Sequence, residues 1–184
     1  ALSVEEKVAL AHKLIASGYG EQQSVALYIL ERAVAYFTPD KFDQIDGFIR
    51  QLHGWSKIDS YTGSLLRELL FRYPAELIEL ARQWNAAGDL WLRRASVVLF
   101  TRKVASSGQL TVVALELCNN LIFDPEDMVQ KGVGWSLKDM MHSDKPRIVR
   151  YVKQLRAQGV SSVITLYAIR NIKGAERADI LGKY

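Results

Sequence analysis

Cysteine is all but missing from this chain: one residue, Cys118, rules out an internal disulfide. Its neighbours Leu115, Leu117 and Leu121 mark it as a small core residue in a reducing compartment. Histidine is equally scarce, and His12, His53 and His142 stand far apart with no cysteine pair beside them. No metal-ligand spacing results, so neither a metal nor another cofactor is expected. No apolar run approaches the length of a bilayer span, and the first residues lack a basic segment followed by an apolar one. A soluble, cytoplasmic, monomeric chain without a membrane partner is the expectation. No stretch alternates polar and apolar residues as a half-buried strand does.

What remains is helix. Of 184 residues 49% are hydrophobic, and only 4 prolines interrupt them, which suits a folded protein of one domain spanning 1–184. Apolar residues recur at helical spacing over Val4 to Ala16, with Val8, Ala9, Ala11, Leu14 and Ile15 inward. Glu21 to Phe37 follows, with Val25, Ala26, Ile29, Leu30, Ala33 and Val34 inward, and then a stripe of Phe42, Ile45, Phe48, Ile49 and Leu52. A helix carrying Leu65, Leu66, Leu69 and Leu70 stops before Tyr73-Pro74. Further helices are predicted over Ala75–Asn85, Leu90–Ala105, Leu110–Leu121, Pro125–Met141, Pro146–Ala157 and Val160–Ile172, with a short tail after Gly174. Charge is uneven. Positions 1–89 hold nine Lys/Arg against twelve Asp/Glu, and 90–184 hold fifteen against eight, a plausible footprint for a polyanion.

Short links between helices of similar length imply antiparallel neighbours and invite a search for a period. Gln23, Asp59, Arg94 and Lys131 fall about 36 residues apart, the length of a helical hairpin in a HEAT-like solenoid. Gln22 to Leu27, Arg93 to Val98 and Gln130 to Trp135 repeat weakly, a polar pair preceding small and apolar residues. In such an all-α solenoid, equivalent positions on successive second helices line up on the concave surface. Asp59, Arg94 and Lys131 then share a row, with Trp135 one turn further on.

Three segments of that row carry chemistry. In Gly54-Trp55-Ser56-Lys57-Ile58-Asp59, an indole and a carboxylate four residues apart project onto one face of a first helical turn. Either Asp59 caps the helix while Trp55 folds back onto its apolar side, or the pair forms an aromatic wall and an anion for a cationic ligand. In Trp91-Leu92-Arg93-Arg94, successive residues lie about 100° apart, so one arginine faces the groove and the other leans elsewhere. A guanidinium beside a helix start suits a phosphate; a structural ion pair with Asp59 or Asp89 is the alternative. In Gly132-Val133-Gly134-Trp135, two mid-helix glycines cost roughly a kcal/mol each, so a close helix neighbour or an approaching ligand backbone must offset them.

Taken together, Trp-x-x-x-Asp at a helix start, Trp-Leu-Arg-Arg about 35 residues later and Gln-Lys-Gly-Val-Gly-Trp-Ser-Leu-Lys after a similar interval resemble the bacterial AlkD-type DNA alkylation repair glycosylases. The likeness runs from about Glu21 to Lys173. It implies a HEAT-like helical fold, double-stranded DNA bearing an alkylated purine as partner, and excision of cationic N3- and N7-alkylated bases. Asp59 would be the catalytic carboxylate, with Trp55 and Trp135 as aromatic walls. Arg94 would hold the DNA backbone near the lesion, with Arg93 beside it. Lys131, Lys138 and Arg147, with Arg150 and Lys153, are expected to meet phosphates along the groove. Family members carry additional N-terminal helices, so a shorter N-terminal region is expected here. The competing expectation is a non-catalytic helical-repeat module that binds DNA or protein.

Overall fold

The computed structural model describes residues 2–182, and these form two compact units, one running up to Trp84 and the other starting at Asn85. All regular structure among the described residues is helical, as the periodicity predicts. The first unit contains α1 (Val4–Ala16), α2 (Gly20–Arg32), α3 (Phe42–Ile49), α4 (Trp55–Tyr61), α5 (Arg67–Arg72) and α6 (Pro74–Asn85), the last ending at the boundary. Two 3-10 turns, Val34–Tyr36 and Pro39–Lys41, follow α2, and a π-helical turn, Thr62–Leu66, joins α4 to α5. The second unit contains α7 (Leu90–Val98), α8 (Arg102–Ser107), α9 (Thr111–Asn120), α10 (Asp127–Ala157), α11 (Ser162–Ala168) and α12 (Gly174–Leu181).

The first helix shows how sequence sets a boundary. Ser3 accepts from the Glu6 N–H while the Glu6 carboxylate accepts from the Ser3 N–H, a reciprocal pair that starts α1 at Val4. The stripe Phe42, Ile45, Phe48, Ile49 and Leu52 is buried throughout, as are Leu65, Leu66, Leu69 and Leu70. Other inward assignments move. Val25 is exposed and Ala9 faces solvent, because α2 buries Gln23, Ala26, Leu27 and Leu30 instead. Gln23 satisfies its amide internally, donating to the carbonyls of Ile15 and Gln51 at 3.3 and 3.1 Å. That bond ties the end of α1 to the turn before α4.

One predicted helix differs in the second unit. The expected helix over Leu90–Ala105 breaks at Leu99 to Thr101, where α7 ends and α8 begins. Val97, Val98, Leu99 and Phe100, which span the end of α7, are all buried. The two helices expected over Pro125–Met141 and Pro146–Ala157 are both present as the halves of α10, separated by a break at Asp144 (φ −146°, ψ 68°). Asp144 leaves the helical region just before Pro146 and accepts from the Arg147 N–H at 3.3 Å, capping the second half.

The first half of α10 packs against α7 and α11, where Gly132 meets Val97 and Val98 and Gly134 meets Ile164 and Tyr167. The second half bonds to α9 and α12, through Tyr151 Oη donating to Asn119 Oδ1 at 3.0 Å and Lys153 Nζ meeting Asp179 at 2.6 Å. Cys118 is buried as expected, and burial pushes its thiol up to about 12.

Candidate nucleic-acid site

The start of α4 decides between the two readings of Trp55 and Asp59. Gly54 is the N-cap, with φ 88°, a left-handed conformation that glycine adopts without a Cβ penalty. The helix therefore begins at Trp55 and puts Asp59 at its fifth residue, beyond the reach of a capping side chain. Asp59 is 6% exposed and Trp55 56% exposed, so the carboxylate is buried and the indole stands in solvent. Asp59 does not cap α4, and Trp55 does not fold back onto the core. The two share a face one turn apart, as their spacing predicts.

The corresponding place in the second unit is the start of α7. Asp89 caps this helix, accepting from the N–H groups of Trp91 and Leu92 at 2.7 and 3.1 Å. Arg94 is then the fifth residue of α7 and Lys131 the fifth of α10, so Asp59, Arg94 and Lys131 occupy the same helical position. The adjacent arginines diverge as their 100° offset requires. Arg93 Nε donates to the buried Asp124 carboxylate at 2.6 Å, and its Nη1 donates to the carbonyls of Ala87 and Gly88. It closes the turn before α7. Arg94 is buried, and its Nη1 donates to the Met128 carbonyl in the first turn of α10.

The glycines explain how Arg94 gets there. A methyl group on Gly132 would lie 3.3 Å from the Val97 and Val98 methyls and 3.4 Å from Arg94 Cγ; one on Gly134 would lie 2.7 Å from Tyr167 Cβ and 2.8 Å from the Ile164 carbonyl. Helix packing, rather than a ligand backbone, uses both positions. Close approach of α7 and α10 lets the Arg94 stem cross Gly132.

Trp135 is half-buried on the same half of α10. The Arg102 guanidinium lies over its ring at 4.9 Å and the Lys138 ammonium at 6.0 Å. Lys138 also meets Asp139 Oδ1 at 3.0 Å, while Asp139 Oδ2 accepts from the Arg102 N–H at 2.8 Å. Arg102 has φ 55°, the only positive value among the described non-glycine residues, a conformation that costs an L-residue roughly 1–2 kcal/mol. Sequence reasoning misses Arg102 because it reads Leu90–Ala105 as one helix. The apolar run Val97 to Phe100 gives no warning of the break, since it equally fits a helix buried on all sides.

Lys138 continues into a cavity of about 250 Å³, also lined by His142, Lys145 and Lys173, with Lys145 paired to Glu176 at 2.7 Å. Lys131 pairs with Asp127 at 2.6 Å within its own helix and remains partly exposed. Arg147, on the second half of α10, lines a different cavity with Arg150, Tyr151 and Asn119. Among the described residues no group of three or more acidic, histidine or cysteine side chains is placed to hold a metal ion, and no helix is long and apolar enough to cross a membrane.

The model of a family described as DNA alkylation repair enzyme matches residues 1–172. The chain belongs to the DNA alkylation repair enzyme family. The resemblance carried by the three motifs therefore holds at the level of the family, and it places the protein in the repair of alkylated DNA. The chain is also similar to a solved structure, a predicted DNA alkylation repair enzyme from Enterococcus faecalis. At 15% identity the two share a fold with a TM-score of 0.72, over 95% of this chain and 88% of that one. No curated protein matches the chain.

Proposed function

We propose that this family member is a DNA glycosylase that excises cationic N3- or N7-alkylated purines from duplex DNA, with Asp59 as its catalytic anion. The observation that carries the reading is the pairing on α4 of a buried carboxylate, set too deep to cap the helix, with an exposed indole one turn before it. An alkylated purine is already a cation, so its glycosidic bond is weak and the leaving base needs no proton. The enzyme must instead stabilise positive charge on the sugar as it becomes oxocarbenium-like, and position a water to trap it. A single preorganised carboxylate supplies that field, and an indole face adds to it through its quadrupole.

In this reading Trp55 stands beside the lesion with Asp59, and in the second unit Trp135 faces a deoxyribose, Arg94 holds the strand, and Lys131 and Lys138 meet phosphates. Arg93 belongs to the framework, since Asp124 and two carbonyls occupy its guanidinium. The common position of Asp59, Arg94 and Lys131 in their helices supports a HEAT-like repeat.

The test is single-turnover release of 7-methylguanine from a methylated duplex, comparing the protein with Asp59→Asn and a control lacking protein. Release that disappears in the variant supports the assignment. Equal release by Asp59→Asn would overturn the mechanism, and no release by the unmodified protein would favour a non-catalytic DNA-binding role.

A further inference from the structure

We propose that Arg102 and Lys138 form a two-cation clamp for the DNA sugar-phosphate backbone beside Trp135. The clamp rests on the DNA-repair reading above and adds Arg102, which none of the sequence motifs singles out. Three observations carry it. Arg102 occupies left-handed backbone at the start of α8, where glycine or asparagine would sit with less strain, yet an exposed arginine stands there. Strained positions of this kind concentrate where a side chain must be aimed. The aim is definite: the guanidinium lies over the Trp135 ring at 4.9 Å.

The second observation is the tether. The buried Asp139 accepts the Arg102 backbone N–H with Oδ2 and meets the Lys138 ammonium with Oδ1, so one carboxylate anchors the backbone that carries Arg102 and pairs with Lys138 beside the same indole. The third observation is continuity, since Lys138 also lines the cavity bordered by His142, Lys145 and Lys173.

Chemistry then selects the ligand. A cation already over the indole makes the surroundings of Trp135 a poor site for a second cation such as an alkylated base. A phosphodiester fits: the planar guanidinium donates two parallel hydrogen bonds to phosphate oxygens, the ammonium adds a point charge, and the indole offers an apolar surface to the intervening deoxyribose. Trp135 therefore reads the backbone, and recognition of the cationic base falls to Trp55 and Asp59.

The experiment measures binding of the full chain to an undamaged fluorescent duplex by anisotropy across a salt series, for the unmodified protein, Arg102→Gly, Arg102→Asn and Arg102→Lys. Glycine and asparagine remove the cation while suiting the backbone conformation, so both variants keep their fold, as thermal unfolding will show. Each lost phosphate contact lowers the slope of log affinity against log salt by about 0.9. That loss is expected for Arg102→Gly and Arg102→Asn, with most of the slope retained in Arg102→Lys. Folded Arg102→Gly and Arg102→Asn variants with the unmodified slope overturn the clamp alone. Absence of salt-dependent binding by the unmodified protein overturns the DNA reading and the clamp with it. The expected loss of slope in Arg102→Gly and Arg102→Asn, found without base release by the unmodified protein, removes only the glycosylase assignment and leaves the clamp supported.

Discussion

Helices α4 and α7 open with the same two residue types in opposite order, and use them differently. In α7 the acid comes first: Asp89 sits at the N-cap and satisfies two backbone N–H groups, with the half-buried Trp91 behind it. In α4 the tryptophan comes first, a glycine takes the cap without a side-chain bond, and the acid is carried a full turn inward. The aspartate caps its helix at one place and not at the other, because only the first turn of a helix has unpaired N–H groups to engage it. The step from one role to the other is five positions along a helix.

The sharpest way to break this comparison is to neutralise each acid. Asp59→Asn is expected to slow single-turnover base release by about 10²–10³-fold, the scale of losing one preorganised electrostatic group, whereas Asp89→Asn, which can still cap, should leave the rate within about twofold. A comparable loss of rate in both variants would end the distinction. The two arginines of α7 offer the next largest effect. Arg93→Ala strands the buried Asp124 carboxylate and should destabilise the fold by about 3 kcal/mol in denaturant titration, while the salt slope of DNA binding stays unchanged. An altered slope with unaltered stability would return Arg93 to the DNA interface.

The glycines come third. Gly134→Ala places a methyl against backbone and should cost about 1–3 kcal/mol, whereas Gly132→Ala meets only side-chain atoms at 3.3–3.4 Å and should cost less; the order of the unfolding midpoints checks this. Smallest is the cap itself. Asp89→Ala should lose about 1 kcal/mol of stability, read by thermal unfolding, without altering the relative rate of base release on fully bound substrate.

Much of the fold was legible because its punctuation is chemical. Helix α1 starts at Val4 as periodicity predicts, and the stop before Tyr73-Pro74 falls one residue after α5. The register of Asp59, Arg94 and Lys131 could be read because their spacing follows the repeat length rather than local propensity. Burial was harder. Val97 to Phe100 looks like the interior of a long helix, and only packing shows that the chain turns there and delivers Arg102 to Trp135. The orientation of Arg147 could not be read from its spacing, since the helical phase is interrupted at Asp144 just before it. The role of Asp59 turned on which residue begins α4, and Gly54 settles that through a backbone angle that sequence only permits.

The π-helical turn at Thr62–Leu66 has its own consequence for this site. A π-turn holds one residue more than an α-turn, so it behaves as an inserted residue absorbed within a continuous helix. Thr62 sits at the seam and donates its hydroxyl to the Ile58 carbonyl at 2.9 Å. Upstream, Trp55 and Asp59 keep the rotational phase set by Gly54; downstream, Leu69 and Leu70 keep the phase demanded by the core. An extra residue alone would turn one set by about 100° against the other. By taking up that rotation in a single turn, the helix separates the aim of Trp55 and Asp59 from the packing of Leu69 and Leu70, so either end can be repacked without re-aiming the other.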